Sequence, residues 1–184
     1  MMRLFAVLAL LMASPAMAGD AEPVANAEME AIFAADQEAR QGGVKDWAAV
    51  SRADAERRAR TRELLDAGAL TTAEDFYAAA FVFQHGREPE DYLLAHTLAV
   101  RALGLGMAKA EWIAAATLDR YLQAIARPQV YGTQYSRFPG EPANQGRYDP
   151  ELLSDTLREG AGVETLAQQQ AKLDKMNAPD DDTK

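Results

Sequence analysis

Cysteine is absent, which excludes disulfides, thiolate zinc sites, iron–sulfur clusters, a cysteine nucleophile and a lipid anchor carried on a cysteine. Proline and glycine, 8 and 12 of 184 residues, are too few for a fibrous or low-complexity chain. Basic residues are in deficit: 19 Lys and Arg against 28 Asp and Glu give a formal charge of -9. That field repels nucleic-acid backbones, although a local basic strip remains compatible with it. Long hydrophobic runs are also missing. The run Leu4 to Met12 has nine residues, against the roughly 20 that a membrane-crossing helix needs. What is present, 48% hydrophobic and 26% charged residues, is the composition of one globular domain with a real core.

Residues 1–18 have the form of a cleavable export leader. Arg3 supplies the positive start, Leu4 to Met12 the apolar stretch, Ser14-Pro15 the break, and Ala16-Met17-Ala18 the small-x-small site of signal peptidase. The expected organisation is a leader over 1–18, a linker over 19–25, one helical domain over 26–177 and an acidic tail over 178–184. It implies an exported protein, periplasmic or secreted, with no stable membrane insertion once the leader is gone.

Within the domain the apolar period is helical and no strand pattern competes with it. Asn26 is placed to cap a helix whose stripe is Met29, Ile32, Phe33 and Asp36, stopped at Gly42-Gly43. Trp47 and Val50 open the next stripe, which leads into an arginine-rich segment closed by Gly68. Its charges are spaced to pair at i,i+3 and i,i+4, or to present an anion-binding strip or partner face. Thr71 or Thr72, with Glu74 or Asp75, forms a capping box for the eight uncharged residues Phe76 to Phe83, which must be buried on nearly every side. Gly86 and Pro89 set a short turn into a returning helix with the inward stripe Tyr92, Ala95, His96, Ala99, Val100 and Leu103, an antiparallel hairpin. A further helix carries Trp112, Ala115, Ala116, Asp119 and Gln123 on one face and stops before Pro128. From Gln129 to Asn144 there is no period, but Tyr131, Tyr135 and Phe138 can anchor a loop on the core. A short helix is expected from Asp149-Pro150-Glu151 to Gly160, and a last one along Val163, Leu166, Gln170, Leu173 and Met176. No repeat of roughly 34 residues recurs. The expected fold is all-α: a compact irregular bundle of antiparallel helical hairpins with one ordered aromatic and glutamine-rich loop.

Three blocks stand in order on this scaffold: Gln84-His85-Gly86, Asp119-Arg120-x-Leu122 and Pro128-Gln129-x-Tyr131-Gly132-Thr133-Gln134. In that combination the segment from Asp54 to Tyr135 resembles a bacterial family of uncharacterised proteins, Domain of Unknown Function 6624. The resemblance implies one domain holding all three blocks; it implies no activity. Family members often carry a glycine ahead of the Arg-Pro pair, where this chain has Ala126.

The blocks supply the candidate site. His85 ends the buried helix, where it could hydrogen-bond the last carbonyls or serve as general acid or base at a pocket mouth. Asp119, on an inward helix face, could brace the following loop through backbone N–H groups or orient His85, as in many hydrolases. Gln84, Arg120, Gln129, Tyr131, Thr133 and Gln134 are the candidate binding residues, with Gly132 allowing a turn that aims N–H groups at a ligand. No metal is expected: His96 lies ~10 Å along its helix from the turn that carries His85, and no ligand cluster of familiar spacing is present. No cofactor is expected either, since phosphate-loop, dinucleotide and zinc-protease fingerprints are missing. These residues fit an exported domain that binds a small molecule or an envelope protein. The alternatives are a small hydrolase or lyase built on His85 and Asp119, and a structural or assembly module using the arginine-rich helix. With the leader cut as its pattern implies, mature protein from the cell envelope begins at Gly19 by N-terminal sequencing; recovery with Met1 intact overturns the export reading.

Overall fold

The computed structural model describes residues 23–43 and 46–179. The expected leader, residues 19–22 of the linker and residues 180–184 of the tail lie outside them. Through the described residues run α1 (Ala27–Glu38), α2 (Trp47–Asp66), α3 (Ala73–Phe83), α4 (Pro89–Gly104), a 3₁₀ turn (Ala108–Ala110), α5 (Glu111–Ala124), α6 (Asp155–Gly160) and α7 (Leu166–Asn177). Among those residues there is no strand, only the isolated bridges Gln129 with Tyr148 and Ser136 with Asn144.

Helix α3 is central because its sequence leaves it no polar face. Thr72 caps it, its hydroxyl accepting from the Asp75 N–H while the Asp75 carboxylate accepts from the Thr72 N–H. The same carboxylate accepts from the backbone of Asn26 at 2.7 Å and of Thr71 at 2.9 Å, which fastens the start of α1 to the start of α3. Burial pushes the Asp75 carboxyl up, but the N–H groups of Thr72, Asn26 and Thr71 together outweigh it and hold it below the ordinary value.

The bundle is all-helical, with α3 packed between α1 and α4 and α4 in turn packed on α5. Alanines make the seams: Ala78, Ala79 and Ala80 on α3, Ala95, Ala99 and Ala102 on α4, and Ala114, Ala115 and Ala116 on α5 are all buried. Small side chains let the axes approach closely, and antiparallel hairpins then pack at interior density. Bulk returns at the α1–α3 seam, where the rings of Phe33, Tyr77 and Phe81 sit 4.8, 5.5 and 6.0 Å apart.

Some expectations shift. The buried arc of α4 is Ala95, Leu98, Ala99 and Ala102, centred between α3 and α5, which leaves Val100 48% exposed. Trp47 and Phe138 also lie in solvent. Helix α6 begins at Asp155, capped by Ser154, and not at Asp149. The fully buried guanidinium of Arg158 takes the carbonyls of Pro150 and Leu153, at 2.7 and 2.6 Å, that an earlier start would have used within the helix. In α7 the buried glutamine is Gln169, not Gln170.

After α5 the chain turns through Ala126 with φ 56°, the left-handed region that favours glycine. An L-residue there costs about 1–2 kcal/mol, against about 0.5–1 kcal/mol of extra unfolded-chain entropy for glycine. Ala126→Gly is therefore expected to raise Tm by roughly 2–4 °C for a chain of this size; an unchanged or lower Tm in calorimetry contradicts the assignment.

Candidate functional site

The site begins at the turn between α3 and α4. Gln84 is the C-cap of α3, and the chain reverses through His85, Gly86 and Arg87. Gly86 is dictated by close approach, since a Cβ there would overlap the side chain of Asp91. The Asp91 carboxylate accepts from the N–H groups of Arg87 and Glu88, at 3.1 and 3.4 Å, at the start of α4. Tyr92 donates its hydroxyl to the Gly86 carbonyl at 2.9 Å, and Arg58 of α2 donates to the His85 carbonyl at 2.9 Å. An arginine therefore serves this end of α3, and the imidazole points elsewhere.

It points at α1. His85 Nδ1 lies 3.1 Å from Oδ1 of Asp36, a carboxylate only 1% exposed. That oxygen also faces Arg40 Nη1 at 3.1 Å and Arg57 Nε at 3.6 Å, while Oδ2 accepts from the Gln37 amide at 2.8 Å. Asp54, buried on α2, is paired by Arg40 at 2.9 Å and by Arg57. Burial pushes the Asp54 carboxyl up, and the guanidiniums of Arg40 and Arg57 outweigh it and hold it below the ordinary value. A buried carboxylate is tolerated only when paired in this way. The arginine-rich helix thus turns part of its charge inward, joining α1, α2 and the turn after α3.

Asp119 has a different task. Fully buried on α5, it accepts from the backbone of Val130 and Tyr131 at 2.8 and 3.1 Å through one oxygen, and from the backbone and hydroxyl of Thr133 at 2.9 and 2.8 Å through the other. Its acceptor positions are filled by the loop, the brace being one of the two roles open to it, and the carboxylate on His85 is Asp36. The loop residues likewise satisfy one another. The Gln129 amide donates to the carbonyls of Gln134 and Gln145 and accepts from the Gln134 N–H; the Gln134 amide donates to Ala116 O and Thr133 Oγ1. Tyr131 offers its carbonyl to Gln169 at 2.9 Å and to the Tyr148 hydroxyl at 3.3 Å. Gly132, at φ 81°, leaves no room for a Cβ beside Tyr148 and Gln145. Of the candidate binding residues, Gln84 lies buried next to His85, and Arg120 lines a separate cavity with Arg87 and Tyr92. His96 is structural: its Nδ1 donates to the Ala114 carbonyl at 2.9 Å.

One ligand atom from each of Asp36, Asp54 and His85 falls within 4.8 Å of the others, the arrangement of a catalytic or metal-binding cluster. A cation seated there would have to displace Arg40 and Arg57 from the same carboxylate oxygens. A proton donor or acceptor at His85 needs no such rearrangement. The fold and the cluster together define the class: an all-helical bundle with a buried Asp–Asp–His cluster, in which no helix of the described residues is long and apolar enough to cross a membrane. No protein-family model, no curated protein and no solved structure matches the chain, so the site's geometry carries the functional reading.

Asp36, Asp54, Arg40 and Arg57 were beyond the reach of sequence motifs. One signal was available: Asp36 falls on the apolar stripe of α1, where a carboxylate requires partners. Nothing local links it to a histidine 49 residues away.

Because the folded Asp54 carboxyl lies below its ordinary 3.8, its contribution to stability is present above that pH and is lost as pH falls through the lowered folded value. The acid limb of a Tm-versus-pH curve is expected to be shallower in Asp54→Asn than in wild type below about pH 4. Parallel acid limbs in circular-dichroism melts contradict the pairing.

Proposed function

We propose that this protein is a small hydrolase or lyase in which His85 acts as general acid and base, with Asp36 as its positioning residue. The observation that carries the reading is the 3.1 Å contact between His85 Nδ1 and the buried Asp36 carboxylate. A carboxylate only accepts, so Nδ1 holds the proton and the Nε2 lone pair is the free one. In hydrolysis, Nε2 takes a proton from water as the water oxygen bonds to the electrophilic centre. Asp36 stabilises the imidazolium, and the proton passes to the leaving group as its bond breaks. In elimination the same nitrogen removes a proton from carbon and the leaving group departs with the bonding pair. Of the two roles the sequence left open for Asp119, it takes the loop brace, and the orienting role falls to Asp36. Membership of Domain of Unknown Function 6624, and action in the cell envelope after removal of residues 1–18, belong to the same proposal; the three blocks and the leader pattern support them.

Binding without chemistry is the second reading. It is favoured by a cavity of about 270 Å³ at the N-terminal end of α3, lined by Met29, Phe33, Tyr77 and Lys109 among others.

The test joins spectroscopy to kinetics. Nitrogen-15 NMR of wild type is expected to show His85 as the Nδ1–H tautomer, lost in Asp36→Asn and partly restored in Asp36→Glu. Against nitrophenyl ester and phosphate panels, His85→Gln is expected to lose about 10²–10⁴-fold in rate. Asp36→Asn should show a smaller loss with an altered pH–rate profile. Turnover that persists in His85→Gln, or that requires an added divalent metal, sinks the acid/base reading.

A further inference from the structure

Beside the His85 turn, that turn, α4 and α5 border an open cleft of about 330 Å³ lined by Arg87, Tyr92, Arg120, Gln123 and Ala124. That volume is within the ~300–1,000 Å³ of small-molecule sites. Its lining holds two guanidiniums, a phenol and an amide, and no acid. Arg120 is the unusual member. Its Nε is buried without a hydrogen-bond partner, and no carboxylate pairs with it among the described residues. Desolvation lowers its pKa; the neighbouring charge of Arg40 acts in the same direction, opposed by Tyr92. A folded chain with 28 acidic residues has left this cation without one. Arg120 is half-buried, and a partly desolvated cation without a carboxylate is a place where a ligand can supply the missing partner.

The cavity is joined to the proposed catalytic turn. Tyr92 donates to the Gly86 carbonyl, Arg87 follows two residues after His85, and Arg40 pairs with Asp36, the carboxylate on His85. On its far side Arg87 also lines a second cavity, shared with Arg52, Arg58 and Ser51. On this side of the turn Arg52, Arg58 and Arg87 gather together, with Asp91 3.9 Å from Arg58.

We propose that the cavity between Arg87, Tyr92, Arg120 and Gln123 binds the phosphate group of a phosphate monoester substrate, holding it beside His85. Two guanidiniums without a carboxylate match a dianion in charge, Arg87 keeping one donor on the Ser51 hydroxyl; a single carboxylate would leave one cation unneutralised. The glutamine amide and the tyrosine hydroxyl complete a polar lining for its oxygens. The word substrate rests on the acid/base reading of His85; the binding of phosphate does not.

Calorimetric titration of the full chain tests it, with inorganic phosphate, glycerol 3-phosphate and acetate as probes, and with vesicles of phosphatidic acid in phosphatidylcholine compared with phosphatidylcholine alone. Wild type is expected to bind inorganic phosphate and a monoester saturably and acetate at least tenfold more weakly. Arg120→Gln is expected to lose at least tenfold in phosphate affinity and Arg120→Lys to recover little of it, while Arg101→Gln, away from the cavity, matches wild type. In phosphate-free buffer Arg120→Gln should melt at or above wild type, since it removes a half-buried cation that has no carboxylate partner among the described residues, so lost binding is not lost folding. Binding of glycerol 3-phosphate identifies a soluble ester, and binding confined to phosphatidic acid vesicles identifies a lipid headgroup; both support the phosphate assignment. Absence of saturable binding to inorganic phosphate, glycerol 3-phosphate and phosphatidic acid vesicles alike, equal affinity for acetate, or undiminished binding in Arg120→Gln overturns it. His85→Gln separates the two proposals: it should bind phosphate as wild type does whether or not His85 is catalytic.

Discussion

A carboxylate buried on the apolar face of α1 governs the arrangement of three helices. Asp36 is almost completely removed from water, and an unpaired ion in that position costs several kcal/mol. Its partners come from three directions: Arg40 just beyond the end of α1, Arg57 from α2, and His85 from the turn after α3. Each partner fixes one element. Arg40 keeps the end of α1 ordered, Arg57 sets the face that α2 turns inward, and His85 fixes the direction in which the chain leaves α3. The histidine is oriented because the carboxylate needs it, and its free nitrogen follows from that need.

The two ends of the chain solve the problem of buried polarity with different chemistry. Around α1 to α3 the buried groups are ionised and paired. Around the loop after α5 they are mostly neutral amides: Gln129, Gln134, Gln145 and Gln169 bond backbone groups of the loop and of α5, with Asp119 as the anionic anchor. Arg158 is the ionic exception there, and it too spends its donors largely on carbonyls. The alanine seams between α3, α4 and α5 hold these regions in one body.

What was legible in the sequence was whatever a few neighbouring residues decide. The caps at Asn26 and Thr72, the stop at Gly68 and the hairpin at Gly86-Pro89 are short-range chemistry, and they read correctly. The bracing of the loop by Asp119 was one of two open readings, and it is the one the hydrogen bonds select. The register of α4 was not legible, because Leu98 faces inward only when helices lie on both sides of it. The start of α6 was hidden for a similar reason: a side chain further along, Arg158, takes the carbonyls in question. At the site, His85 could be picked out by its place at the end of a buried helix. Its partner could not, since Asp36 is brought to it only by the packing of α1 on α3.

Chain separation distinguishes the two polar anchors in a further way. Asp119 closes loops of 11 to 14 residues, whereas the contact of Asp36 with His85 closes one of 49. By the logarithmic dependence of closure entropy on length, the longer junction costs about 1 kcal/mol more to form. With no cysteine to fasten it, the junction at His85 is held only by packing and paired charge. The region that carries the chemistry is therefore the more expensive of the two to assemble.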